Sequence, residues 1–66
     1  MLKQEHFNYI IKVIKSCKTN EQIINAINWA RDIILSRVKE TSKKAEMIRN
    51  IEEVYNDKML EILNIN

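Results

Sequence analysis

The sequence contains neither glycine nor proline, and this absence constrains the fold more than any other feature. A chain of 66 residues with average composition would contain about eight of the two together. Tight turns that need a positive φ normally use glycine, so β-hairpins, glycine-rich phosphate loops and compact β folds are disfavoured. The sequence therefore predicts an all-α protein whose helices are joined by short polar connections.

The short chain predicts a single helical domain over residues 1–66 that needs additional support. A chain of this length buries only about 60% of the surface that its unfolded form exposes. Small domains usually compensate with disulfides, a metal or a second subunit. Cys17 is the single cysteine and His6 the single histidine, so neither an internal disulfide nor a structural zinc site is expected. We therefore expect a homodimer or larger homo-oligomer, and no cofactor.

Charge and hydropathy predict a cytoplasmic protein, in the host cytoplasm if the chain is encoded by a phage. The net charge of +2 is not the strongly basic balance of an obligate nucleic-acid binder. No apolar run is long enough for a transmembrane helix, and residues 1–6 do not resemble a signal peptide. The apolar arcs are better explained by helix packing than by a membrane surface. A lone cysteine is typical of a reducing compartment.

Apolar residues that recur every three or four positions predict three helices. These run from about Lys3 to Cys17, from the Thr19 cap to about Lys39, and from about Lys43 to Leu63.

The predicted helix boundaries differ in the strength of their capping signals. Thr19 can accept a hydrogen bond from the amide of Gln22, whose side chain can reach back, as in a capping box. For the third helix, Thr41 or Ser42 is the predicted N-cap, but neither is followed by Glu or Gln three positions later. The second boundary is therefore the weaker one.

A rival interpretation joins the second and third helices into one rod. Six residues are spaced by seven without a break across the proposed turn: Ile27, Ile34, Thr41, Ile48, Tyr55 and Ile62. Such a heptad is typical of a coiled coil, although the companion positions Arg37, Lys44 and Lys58 are charged. The sequence thus allows a small three-helix bundle or a helical hairpin, completed in either case by homo-oligomerisation.

Catalytic and metal-binding constellations are not evident. Cys17 and His6 lie eleven residues apart on one predicted helix, which is roughly 16 Å and too far for a nucleophile–base pair. Glu46, Glu53 and Asp57 share one side of the third predicted helix, and we interpret them as a solvated acidic face. We expect neither an enzyme nor a metal site.

Lysines at the predicted helix ends indicate a possible phosphate contact. Lys15 and Lys18 end the first helix, whereas Lys43 and Lys44 begin the third, and the four could meet at one end of a bundle. No helix carries Arg, Asn or Gln arrayed to read base edges, so sequence-specific DNA binding is disfavoured.

Aromatic residues provide the main candidates for contact with a partner. Trp29 lies off the apolar stripe of its predicted helix, two residues from Ile27. Trp and Tyr dominate binding hot spots, so Tyr9, Trp29 and the flanking Arg31 and Asp32 are the predicted contact face. Packing of Trp29 within a broad core is the alternative interpretation.

The segment 16–23, together with Ala26 and Trp29, resembles a pattern in small helical accessory proteins of bacteriophages and prophages. This resemblance implies a phage or prophage origin and a role in binding and blocking a host protein. It also implies a second possibility, an oligomer that sequesters a nucleotide signal through Lys and Arg at subunit boundaries. A nucleic-acid-associated regulator that uses the lysine-rich helix ends is a further hypothesis.

Overall fold

The computed structural model describes residues 2–64, which form three α-helices. Helix α1 spans Gln4–Lys15, α2 spans Asn20–Arg37, and α3 spans Thr41–Leu63, with no β-strand in the described part of the chain. The helices run up, down and up along a body of 41 × 17 × 16 Å. The predicted all-α fold is confirmed, and the arrangement is a three-helix bundle.

The first connection, residues 16–19, contains the predicted capping motif. The Thr19 side chain accepts a hydrogen bond from the Gln22 amide at 3.2 Å. Gln22 reaches back as predicted, but its Oε1 accepts the amide of Lys18, one residue before the cap, at 2.8 Å. One amide of the first turn of α2, that of Gln22, and the amide of Lys18 in the connection therefore have side-chain acceptors, and α2 begins at a defined residue.

The second connection, residues 38–40, excludes the continuous rod and the helical hairpin. Val38 (φ −98°, ψ 118°) and Glu40 (φ −75°, ψ 120°) are extended, so α2 ends and the chain reverses. Burial of the Val38 side chain in the core stabilises this reversal. The unbroken heptad has a simpler origin, because two separate helices of similar period present their apolar residues to one core.

The predicted N-cap of α3 at Thr41 or Ser42 is wrong. Glu40 occupies the cap position, and Thr41 is the first helical residue. The Glu40 side chain makes no cap hydrogen bond to the backbone, and instead its Oε1 accepts the Ser42 hydroxyl at 3.2 Å. The helix therefore begins where the chain leaves its extended connection rather than at a side-chain cap.

Isoleucine forms the centre of the core. Five isoleucines from the three helices are fully buried: Ile10, Ile14, Ile23, Ile34 and Ile51. Each such side chain contributes roughly 1.5–3 kcal/mol on leaving water. Helix α3 supplies Met47 and Ile51 to the buried core, and its remaining core-facing residues are half-buried. Helix α3 is thus covered less completely than its apolar stripe would allow.

The core predicts a position-dependent response to loss of one methyl group. We expect Ile51→Val to lower the free energy of unfolding by about 1 kcal/mol, because the surrounding residues cannot fill the space completely. Leu60→Val is the control, since Leu60 is exposed on α3, and should change stability by less than about 0.5 kcal/mol. Urea unfolding followed by circular dichroism measures both; equal losses would contradict the assigned burial.

The cap predicts a contrast between two threonines. Thr19→Ala should cost about 1 kcal/mol, because the Gln22 amide loses its acceptor. Thr41→Ala provides the control: Thr41 is exposed at the start of α3 and is not the N-cap. Thermal unfolding of the two variants should show a lower Tm for Thr19→Ala only, and similar Tm values would rule out the capping role.

Candidate functional site

Two aromatic rings pair at the surface between α1 and α2. The ring centroids of Tyr9 and Trp29 are 6.3 Å apart, and the planes meet at 82° in an edge-to-face arrangement. This geometry is favourable for aromatic quadrupoles. Tyr9 is 60% exposed and Trp29 39% exposed, so neither ring belongs to the buried core. Trp29 is therefore a surface residue anchored by a neighbour.

The rings line a cleft of about 170 Å³, which we call the aromatic cleft. Its lining residues are Leu2, His6, Tyr9, Ile10, Trp29, Ile33 and Arg37. Those from α2 recur every four residues, so Trp29, Ile33 and Arg37 lie along one flank of the helix. Apolar side chains thus form most of the wall, and His6 and Arg37 provide its polar groups.

A second cavity adjoins the aromatic cleft and extends it toward the start of α3. It measures about 380 Å³ and shares Leu2 and Arg37 with the cleft. The rest of its lining is Val38, Lys39, Glu40, Lys43 and Met47. Three basic side chains and one acidic side chain therefore surround this cavity, and the combined surface is apolar in its walls and cationic at one end.

The predicted contact face is only partly assembled. The structure brings Tyr9 and Trp29 together, but Arg31 lies on the opposite flank of α2, where its Nη2 contacts Glu52 Oε2 at 3.1 Å. Two residues along a helix correspond to a rotation of about 200°, which separates Arg31 from Trp29. Asp32 is exposed outside the cleft lining. The structure therefore separates Arg31 from the aromatic pair, and the part of Arg31 and Asp32 in partner contact stays a prediction.

Sequence reasoning missed His6, Ile33 and Arg37 as members of this site. The four-residue spacing of Trp29, Ile33 and Arg37 was a usable signal for the α2 side. His6 stands three residues before Tyr9 on α1, which is a similar signal, but only the packing of α1 across α2 brings it into the same cleft as Trp29.

The four predicted phosphate-contact lysines do not gather at one end. Lys15 lines a cavity with Val54, Asp57, Lys58 and Glu61, in the C-terminal half of α3. Lys18 follows in the adjacent connection and is exposed. The other pair stands at the start of α3, where Lys43 lines the cavity beside Leu2 and Lys44 is half-buried. Antiparallel packing of successive helices places the two pairs at opposite ends.

Within residues 2–64, no group of three or more His, Cys, Asp or Glu side chains is placed to hold a metal ion. None of the described helices is long and apolar enough to cross a membrane. No family model, curated protein or solved structure matches the chain. The resemblance to phage accessory proteins accordingly stays a prediction.

The aromatic pair predicts a measurable coupling energy. A double-mutant cycle with Tyr9→Ala and Trp29→Ala should give about 0.5–1.5 kcal/mol, because each ring loses its edge-to-face partner. The control cycle pairs Trp29→Ala with Leu35→Ala on the opposite flank, where the effects should add to within about 0.5 kcal/mol. Chemical unfolding of the single and double variants supplies the values, and a zero coupling for the aromatic cycle would contradict the ring contact.

Proposed function

We propose that this chain is a non-catalytic protein-interaction module and that the aromatic cleft binds a partner protein. The observation that carries the proposal is the exposed Tyr9–Trp29 pair at the wall of an apolar cleft. Trp, Tyr and Arg are the residues most enriched among binding hot spots, and Arg37 adds the third type to the same surface.

The setting of the two rings favours binding. Tyr9 and Trp29 stand on helices α1 and α2 rather than on loops, and each ring restricts the other. Side chains that are already ordered lose less conformational entropy when a partner arrives. Their partial exposure leaves apolar area that a partner can cover.

The charge around the cleft favours a partner segment with an apolar anchor and neighbouring carboxylates. Arg37, Lys39 and Lys43 outnumber Glu40 around the adjoining cavity. A complementary acidic segment would be steered toward this end and held in one orientation. The mechanism is occlusion, in which the module covers a functional surface of its partner.

The biological setting that we propose follows from the resemblance noted above. In that setting the partner is a host protein, the chain acts in the host cytoplasm, and its source is a phage or prophage. We further propose that the chain self-associates through a surface other than the aromatic cleft. The lysine positions do not favour the nucleic-acid or nucleotide-signal hypotheses, because the four candidates form two pairs at opposite ends.

Partner capture followed by titration tests the cleft. The chain is used to isolate binding proteins from the cells in which it occurs, and each purified candidate is titrated by calorimetry. Trp29→Ala should weaken the affinity by about 30-fold, the loss typical of a hot-spot residue. Arg37→Glu should weaken it as well, with a smaller effect at high salt, because the partner is expected to be acidic.

Leu60→Ala is the matched control for this experiment. Leu60 is a large apolar residue exposed on α3 and absent from the cleft lining, so its replacement should leave affinity unchanged. Unchanged affinity in Trp29→Ala, accompanied by a lower Tm, would assign Trp29 a structural role and defeat the proposal.

A further inference from the structure

A second uncovered surface lies between α2 and α3, on the flank of α2 remote from the aromatic cleft. Its centre is the contact between Arg31 and Glu52, whose side chains are 42% and 47% exposed. On α2, Ile24 precedes Arg31 by seven residues and Leu35 follows it by four, so all three share one flank of the helix. Ile24 is 45% exposed and Leu35 51% exposed, although both are large and apolar.

Helix α3 also carries a charged residue flanked by apolar residues four and seven positions away, but with the order of the two spacings reversed along the chain. Ile48 precedes Glu52 by four residues and Met59 follows it by seven, and both pack only partly against the core. Because α2 and α3 are antiparallel and Arg31 contacts Glu52, equal steps along the two helices reach the same level. Ile24 thus lies level with Met59, and Leu35 with Ile48. We call these six residues the α2–α3 seam: Ile24, Arg31, Leu35, Ile48, Glu52 and Met59.

The geometry points to a second copy of this chain as the occupant of the α2–α3 seam. A two-fold axis parallel to the helices would lay α2 of one copy against α3 of the other, antiparallel to it. Ile24 then meets Met59 of the second copy, and Leu35 meets Ile48 of the second copy. Arg31 faces Glu52 of the second copy, and the same contact recurs on the other side of the axis. The product is a layer of four helices at the dimer centre.

Charge complementarity favours a copy of the chain over an unrelated protein. The seam carries one cation and one anion at the same level, so it matches itself only when α2 faces α3. A two-fold axis across the helices would instead place Arg31 opposite Arg31, and like charges there would disfavour association. The spacing of four and seven residues is also the spacing with which antiparallel helices interdigitate.

A long face of the bundle is of the order of size that a dimer interface needs. A long face of the molecule measures 41 × 17 Å, or roughly 700 Å² in projection. Stable interfaces bury about 800 Å² of each partner. In this assembly the aromatic clefts remain open, because Trp29 lies on the other flank of α2 from Arg31. The seam rests on the self-association proposed above and is distinct from the aromatic cleft, so a negative result at the seam leaves the proposal for the cleft standing.

Sedimentation of charge-reversed variants tests the seam. Wild-type protein should sediment as a dimer. Arg31→Glu alone places two glutamates at each contact, and Glu52→Arg alone places two arginines there. The repulsion should weaken each of the two contacts about tenfold, so the dissociation constant of the dimer should rise about a hundredfold. An equimolar mixture of the two variants should recover the dimer, because every contact across the axis again joins opposite charges.

Three further variants make the result decisive: Glu61→Lys, Leu35→Gln and Trp29→Ala. Glu61→Lys changes the net charge by the same amount as Glu52→Arg but lies outside the seam, beside Lys58, and should remain dimeric. Leu35→Gln removes apolar contact without a charge change and should weaken the dimer even if a charge variant folds poorly, which circular dichroism would report. Any of four outcomes would overturn the proposal. The wild type could be monomeric, the single charge variants could dimerise normally, or their mixture could stay monomeric. Loss of the dimer in Trp29→Ala would overturn it as well.

Discussion

The bundle depends on packing five isoleucines from three helices against one another. Ile10, Ile14, Ile23, Ile34 and Ile51 are completely removed from water, and no polar side chain accompanies them in the buried core of residues 2–64. β-Branched side chains have few rotamers within helices, so they lose little freedom when they interlock. A chain of 66 residues without a disulfide has few other sources of stability, and the relative placement of the three helices follows from this contact.

The two connections form by different physical means. At residues 16–19, the side-chain oxygens of Thr19 and Gln22 accept hydrogen bonds from backbone amides near the start of α2. At residues 38–40, no side-chain cap is present, and the extended chain is anchored by the buried Val38. Neither connection uses a positive φ, which explains how the chain turns twice without glycine.

Helix α2 contributes to both proposed interaction surfaces because it lies between two neighbours. Its core-facing arc is covered by α1 and α3, and each remaining flank forms one wall of a surface groove. One flank contributes Trp29 to the aromatic cleft, whereas the other contributes Arg31 to the α2–α3 seam. A module with two such flanks can present one surface to a second copy and the other to a partner. The two roles need no shared residue.

The sequence by itself determined the helix content, the segments that become helices and the capping motif at Thr19, because these depend on neighbours within a few residues. The sequence also identified Tyr9 and Trp29 as candidates for contact with a partner. The tertiary structure decided between the predicted break at residues 38–40 and the rival rod, since the heptad by itself is compatible with one rod or with two helices sharing a core. Packing likewise decided that His6 and Arg37 join the aromatic rings, that Arg31 turns to Glu52, and that the lysine pairs lie apart. Each of these outcomes requires the relative placement of helices, which local periodicity does not encode.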